Sequence, residues 1–241
     1  MIAVLRETVR GIASLVYPPT CVVCSAAVEP GEYLCPYCTA AAPRLTAPFC
    51  DRCSQPFEGA ITATFTCANC THRTLHFQTA VAAYRSRGIV RKLLHEFKYG
   101  HQRHLKYPLA AWLAETLEDP RLSGRQFDVI IPVPLHSTRE RERGFNQAAL
   151  LAELLAGRTG LRLDESLERI RYTSTQTSHD RAERMRNLQD AFRLRKKANV
   201  RGLRVLLIDD VLTTGSTLSE CARVLRSAGA ISVHAATAAR A

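Results

Sequence analysis

The chain has 241 residues, 46% of them hydrophobic, enough for one large or two ordinary packed domains, which excludes a disordered or low-complexity protein. No run approaches the roughly 18 apolar residues that a membrane span requires, and charge begins at Arg6, so neither membrane insertion nor a secretory leader is expected and the expected compartment is the cytoplasm. Residues 1–78 are electrically balanced and the whole formal charge of +11 lies in residues 79–241, which favours polyanionic partners.

Residues 1–17 place Ile2, Leu5, Val9 and Ile12 along one helical face before Pro18-Pro19, which predicts a short amphipathic helix. Cysteine usage defines the next segment. Eight of the nine cysteines form four C-x-x-C pairs with the spacing C-x2-C-x10-C-x2-C-x11-C-x2-C-x13-C-x2-C. A C-x-x-C turn aims two thiolates at one ion and two such knuckles close a tetrahedral site, so four knuckles predict two structural zinc sites with no open position for catalysis. A disulfide framework would need an oxidising compartment, and a redox pair would occur once.

The three gaps are too alike to separate sequential from cross-braced ligation. However, Pro19-Thr20-Cys21 and Pro48-Phe49-Cys50 open similar units 29 residues apart, and such a repeat points to sequential sets. These are Cys21, Cys24, Cys35 and Cys38 for one ion and Cys50, Cys53, Cys67 and Cys70 for the other, with His72 and His76 read as surface residues. The ninth cysteine, Cys221, is read as core.

Composition changes near residue 78, which divides the chain into an N-terminal unit, 1–78, and a larger domain, 79–241. Gln78–Tyr84 reads as a strand, and Ile89, Val90, Leu93, Leu94 and Phe97 line one face of a helix. Lys98 ends that helix, where it either answers the helix dipole or reaches an anion. Pro108 opens a third helix carrying Leu109, Trp112, Leu113 and Leu117. A second buried strand, Phe127–Ile131, runs into Pro132-Val133-Pro134-Leu135-His136, a turn made rigid by alternating prolines.

Arg139–Arg143 alternates in sign, either as a solvated face of paired charges or as an anion clamp, with Arg143 the stronger candidate because no acid follows it. A Leu-rich helix continues to Leu155. Residues 169–187 lack apolar periodicity and are rich in Thr, Ser and Arg, which predicts a mobile loop or a basic linker. Arg193–Lys197 reads as a solvated charge run.

Val205–Ile208 is a strand apolar on both faces, hence expected in a parallel sheet covered by helices on each side, and it is expected to end at Asp209-Asp210. Thr213, Thr214, Gly215, Ser216 and Thr217 then lead into a helix with Leu218, Cys221, Ala222 and Leu225 on its apolar face. Free N–H groups and hydroxyls at such a turn cradle a phosphate. The two carboxylates would repel one, so they must face hydroxyl donors or a cation. A ribose 5-phosphate with Mg²⁺ nearby meets both demands. Gly229 closes the helix, and Ile231–Ala235 supplies the next parallel strand of a βαβ unit.

Residues Val205–Leu218 resemble the signature of type I phosphoribosyltransferases, which bind phosphoribosyl pyrophosphate (PRPP). The hydrophobic run, the acid pair and the Thr-Thr-Gly-x-Thr loop match without a gap. Taken with the four knuckles, Lys98-Tyr99-Gly100, Pro132–His136 and Arg143-Gly144-Phe145-Asn146-Gln147, in that order, the whole chain resembles the ComF family of competence-related proteins. His101 stands where a second glycine is often expected.

This resemblance implies an α/β fold: a parallel-sheet type I phosphoribosyltransferase domain preceded by a small double zinc ribbon. It implies PRPP and Mg²⁺ at Asp209, Asp210 and Thr213–Thr217, with pyrophosphate received by Pro134, Leu135, His136, Arg143 and Lys98. Arg171 and Arg181 would act with the acid pair in catalysis, from a loop that closes over PRPP. Two functions follow from it. One is pentosyl transfer from PRPP in a protein linked to DNA uptake during natural transformation. The other is a non-catalytic adaptor that binds PRPP or single-stranded DNA and docks a DNA-translocating partner through its ribbons.

Overall fold

The computed structural model describes residues 18–59, 61, 64–172 and 188–241. The helix expected over residues 1–17 and the candidate Arg181 lie outside these residues.

The 29-residue repeat is visible as repeated hydrogen bonding. Cys21 N donates to Ala26 O at 2.7 Å and Cys50 N to Gln55 O at 2.8 Å, while Ser25 N and Ser54 N each donate to the first cysteine's carbonyl at 2.8 Å. Ser25 and Ser54 both take the left-handed conformation, with φ of 64° and 55°, that turns each knuckle back on itself. The second knuckle of each unit carries its last cysteine on a short helix, α1 (Pro36–Ala40) and α2 (Ala68–Thr71).

The larger domain follows as β1 (Ala80–Arg85), α3 (Gly88–Tyr99), a 3₁₀ turn (Arg103–Leu105), α4 (Lys106–Glu115) and α5 (Pro120–Ser123). Next come β2 (Val129–Pro132), α6 (Ser137–Arg143), α7 (Gln147–Thr159) and β3 (Arg162–Leu163). The chain closes with β4 (Leu167–Arg169), β5 (Phe192–Leu194), β6 (Arg204–Leu212), α8 (Ser216–Ser227) and β7 (Ser232–Arg240). The strands form a parallel sheet in the order β1-β7-β6-β2-β3, and β4 and β5 form a separate antiparallel pair. His101, at the end of α3, has φ 54°, the backbone conformation a glycine would adopt without strain.

Three expectations are adjusted by these elements. β6 does not end at the acid pair but runs through it to Leu212, because β7 continues the ladder with Asp209 opposite Thr237 and Leu212 opposite Arg240. The irregular segment expected from Arg169 begins later, since Arg169 is the last residue of β4. Arg193 is exposed, as expected of a solvated run, but it lies in a strand, β5, where its Nε donates to Glu168 of β4 at 2.7 Å.

Alternate residues of β6 feed two hydrophobic clusters, as a strand buried on both faces requires. Val205 and Leu207 pack with Leu218, Cys221, Ala222 and Leu225 of α8. Leu206 and Ile208 pack with apolar residues of α3, α4 and α7 on the other face. From β6 the chain crosses through α8 to β7 on one side, and from β2 it crosses through α7 to β3 on the other. The order therefore reverses between β6 and β2, and ligands of open parallel sheets bind at the carboxyl ends of strands where that happens.

The two ribbons are embedded differently. Cys50, Cys53, Cys67 and Cys70 belong to the same cluster as Val205, Leu207 and α8, and Arg52 O accepts from Ala80 N at 2.8 Å. Cys21, Cys35 and Cys38 form a small cluster of their own.

Candidate functional site

The carboxyl end of β6 is the centre of the site. β2 leaves the ladder at Pro132, opposite Ile208, so β6 advances beyond its neighbour and carries Asp209 and Asp210 into the crevice. Asp210 is 4% exposed, and its Oδ2 lies 2.9 Å from Lys98 Nζ, an ion pair that joins the end of α3 to the acid pair. Asp209 Oδ1 accepts from Asp210 N at 2.9 Å. Burial pushes the Asp209 carboxyl up to about 7, with the Asp210 charge acting in the same direction and Lys98 opposing both.

Beyond Leu212 the backbone turns through Gly215, whose φ of 77° is left-handed and whose missing side chain would touch the Phe77 ring at 3.5 Å. Thr214 Oγ1 and Ser216 Oγ lie 2.9 Å apart, and Ser216 N donates to Thr214 Oγ1 at 3.3 Å. Thr213 is exposed and Thr217 half-buried in the first turn of α8. The loop contains hydroxyls and helix N–H groups but no cation of its own.

The other sequence motifs meet this turn from β2. His136 caps α6 by accepting at Nδ1 from Thr138 N, 3.3 Å. Asn146 Nδ2 donates to Val133 O at 3.1 Å while its Oδ1 caps α7, so the Arg-Gly-Phe-Asn-Gln segment holds the Pro-Val-Pro turn. Arg143 lies over the Tyr99 ring at 5.0 Å and donates to Gln147 Oε1 at 2.9 Å, which brings the Lys-Tyr-Gly motif and the Arg-Gly-Phe-Asn-Gln motif together. Pro134 and Leu135 line a cavity of about 180 Å³ shared with charges of both signs, Glu140, Glu165 and Glu168 together with Arg169 and Arg195.

Arg171 is exposed and donates to Gln189 O at 3.0 Å, and no contact with the acid pair is seen. Two residues that sequence reading passed over meet His136. The Arg169 backbone bridges that of His136, and its lowered pKa reflects burial first, then Arg139, with Cys221 and Asp209 opposing. Tyr172 meets the His136 ring edge-on at 5.4 Å and carries Arg139 over its own ring. Nothing in the arginine pattern of 169–186 distinguished Arg169, because its burial is set by the β4–β5 pairing.

The eight thiols gather as the repeat suggested, Cys21, Cys24, Cys35 and Cys38 in one cluster and Cys50, Cys53, Cys67 and Cys70 in the other, with sulfur atoms mutually within 4.8 Å in each. Cys24 and Cys35, and likewise Cys53 and Cys67, have sulfurs 3.6 Å apart. A zinc ion with Zn–S bonds of ~2.3 Å needs a tetrahedron of edge ~3.8 Å, so both sets fit structural zinc. Backbone N–H groups support the sulfurs: Cys38 N donates to Cys35 at 3.4 Å and Cys67 N to Cys50 at 3.3 Å. His72 is exposed and His76 half-buried, and neither belongs to a cluster.

Comparison with known proteins agrees with both halves. The double zinc ribbon domain family matches residues 12–73, and the phosphoribosyl transferase domain family matches residues 105–241. The DNA utilization protein YhgH of Salmonella typhimurium is 34% identical over 89% of this chain and 87% of its own length. Competence protein F of Haemophilus influenzae is 31% identical over 76% of this chain and 80% of its own. The chain belongs to the ComF family. Among solved structures, the glutamine PRPP amidotransferase from B. subtilis covers 58% of this ComF-family chain and 30% of its own, at 23% identity and a TM-score of 0.38. Among the described residues no helix is long and apolar enough to cross a membrane.

The residues that sequence reading missed altogether come from the second ribbon. Arg73 and Asn69 both touch the β6–α8 loop, and no local pattern relates them to it.

Proposed function

We propose that this protein binds PRPP at the β6–α8 turn and acts in DNA handling of the kind named for its competence-protein and DNA-utilization relatives. The observation that carries the reading is the placement of an acid pair, Asp210 buried and Asp209 half-buried, at the strand-order reversal, ahead of a loop of uncharged hydroxyl residues and a helix N-terminus. The loop takes the 5-phosphate, with Thr213, Thr214, Ser216 and Thr217 hydroxyls and the first N–H groups of α8 as donors. Asp209 and Asp210 accept from the ribose hydroxyls. Backbone groups of Pro134–His136 face the pyrophosphate, with Arg143 and Arg169 as flanking cations. Carboxylate oxygens are fit ligands for Mg²⁺, which when bound would neutralise pyrophosphate charge.

In a transfer reaction an acceptor's lone pair forms the new bond to ribose C1 as the C1–O bond to pyrophosphate breaks, and pyrophosphate leaves with that electron pair. The acid pair stabilises positive charge developing on the ribose, and the arginines stabilise the leaving group. Calorimetric titration with PRPP and Mg²⁺ tests the binding step. Asp209→Asn combined with Asp210→Asn is expected to abolish binding with the fold intact, and unchanged affinity would sink the assignment. Pyrophosphate release on adding acceptors separates a transferase from an adaptor that binds PRPP without turnover.

A further inference from the structure

We infer that Arg73, carried by the second zinc ribbon, is a positioning residue of the phosphate loop, so that the ribbon and the loop form one coupled unit. Arg73 lies three residues after the last zinc ligand, Cys70. Its Nη1 donates to Thr214 O at 3.1 Å and to Asn69 Oδ1 at 2.7 Å, and its Nη2 donates to Ser216 Oγ at 3.0 Å. Asn69, between ligands Cys67 and Cys70, donates from Nδ2 to the same Thr214 carbonyl at 3.3 Å. The contact continues into α8, where Ser219 Oγ accepts from His76 N at 3.1 Å. It continues also under the turn, where the buried Phe77 ring faces Gly215.

These contacts act on the residues that set the loop's shape. Ser216 is 6% exposed and its hydroxyl is shared between Thr214 and Arg73, so the guanidinium fixes both a carbonyl and a hydroxyl of the turn. It also brings a positive charge to a loop whose own residues are uncharged and whose preceding residues include two carboxylates. Asn69, Thr214 and Ser216 are met from two nitrogens of one planar fork, a spread that the single, shorter-reaching ammonium of lysine does not reproduce. The zinc ligands hold the ribbon that holds Arg73. Order in the loop therefore depends on thiolate ligation in the second cluster, and anion binding at the loop is linked to it.

The strut stands on the contacts alone; its consequence for ligand affinity rests on the PRPP reading. The test is hydrogen exchange of the 211–220 segment together with titration by ribose 5-phosphate, in the zinc-loaded protein and in Arg73→Ala, Arg73→Lys and Asn69→Ala. Arg73→Ala should keep two zinc ions and unchanged protection in β2 and β7, while exchange in 211–220 rises and ribose 5-phosphate affinity falls about tenfold, as for loss of one charge-assisted hydrogen bond. Arg73→Lys should exchange like Arg73→Ala. Asn69→Ala should show a smaller rise. Wild-type exchange in Arg73→Ala, or full recovery by lysine, overturns the positioning role. Faster exchange with unchanged affinity overturns the coupling to anion binding. If the wild-type protein binds neither ribose 5-phosphate nor PRPP, the PRPP reading fails while the exchange data still decide the strut.

Discussion

Asp209 is held by its surroundings in a state that favours its protonated form. Its folded pKa of about 7 stands above the ordinary 3.8, so between these values the folded chain keeps a proton that the unfolded chain has released. The stabilising contribution of that proton is complete below 3.8 and is lost as pH rises through about 7. Asp209→Asn should therefore raise the melting temperature by a few degrees at pH 8 and leave it unchanged near pH 4, as scanning calorimetry would show. Under the PRPP reading both Asp209 oxygens serve as acceptors for ribose hydroxyls only in the ionised form, so PRPP affinity should climb as pH passes about 7. A flat affinity profile would remove Asp209 from the contact set. The Lys98–Asp210 ion pair puts the last turn of α3 in the same site, and Lys98 there answers a carboxylate in addition to any helix dipole.

The two zinc ribbons are alike as elements and different in what they support. The second shares its hydrophobic cluster with β6 and α8, and its backbone is tied to the sheet by Ser54 Oγ donating to Ala80 O at 2.9 Å and by the buried Arg240 donating to Cys53 O at 3.1 Å. The cysteines of the first form a small cluster of their own, and that ribbon meets the domain core through the half-buried Val22, Val23 and Leu34. Structural zinc contributes roughly 10–16 kcal/mol to the folding of such small modules. Cys53→Ser should thus lower the global melting temperature or prevent folding, whereas Cys24→Ser should release one zinc and unfold the first ribbon alone. Metal analysis and calorimetry on both variants distinguish these outcomes, and equal global destabilisation would contradict the difference in packing. The repeat of 29 residues was legible because each knuckle is a local turn. What each ribbon rests on was not, because both present the same cysteine spacing.

For the molecule as a whole, the +11 charge belongs to residues 79–241, which carry the acid pair and the hydroxyl loop. Two exposed tyrosines at the site's rim each lie under an arginine, Tyr99 under Arg143 and Tyr172 under Arg139. Arginine with an exposed aromatic ring is the pairing by which single strands are stacked and neutralised. Weak, sequence-independent binding of single-stranded DNA is expected, with a log–log salt slope of about −0.7 per phosphate neutralised. PRPP should compete for part of it. Fluorescence anisotropy at two salt concentrations, with and without PRPP, is the measurement; no binding at low salt would leave the charge to steer small anions alone.

The sequence by itself determined the contiguous parts: the strand apolar on both faces, the acid pair, the hydroxyl loop, the amphipathic α8 and the four C-x-x-C knuckles. Each is specified by spacing along a few residues, through the strand or helix period or the reach of a tight turn. Only the tertiary structure decided that β6 runs on past Ile208, that Lys98 answers Asp210, and that Arg73 holds a carbonyl 141 positions away. Periodicity says which face of an element is buried but not against what. Those partnerships follow from the strand order and from the second ribbon entering the same core as β6.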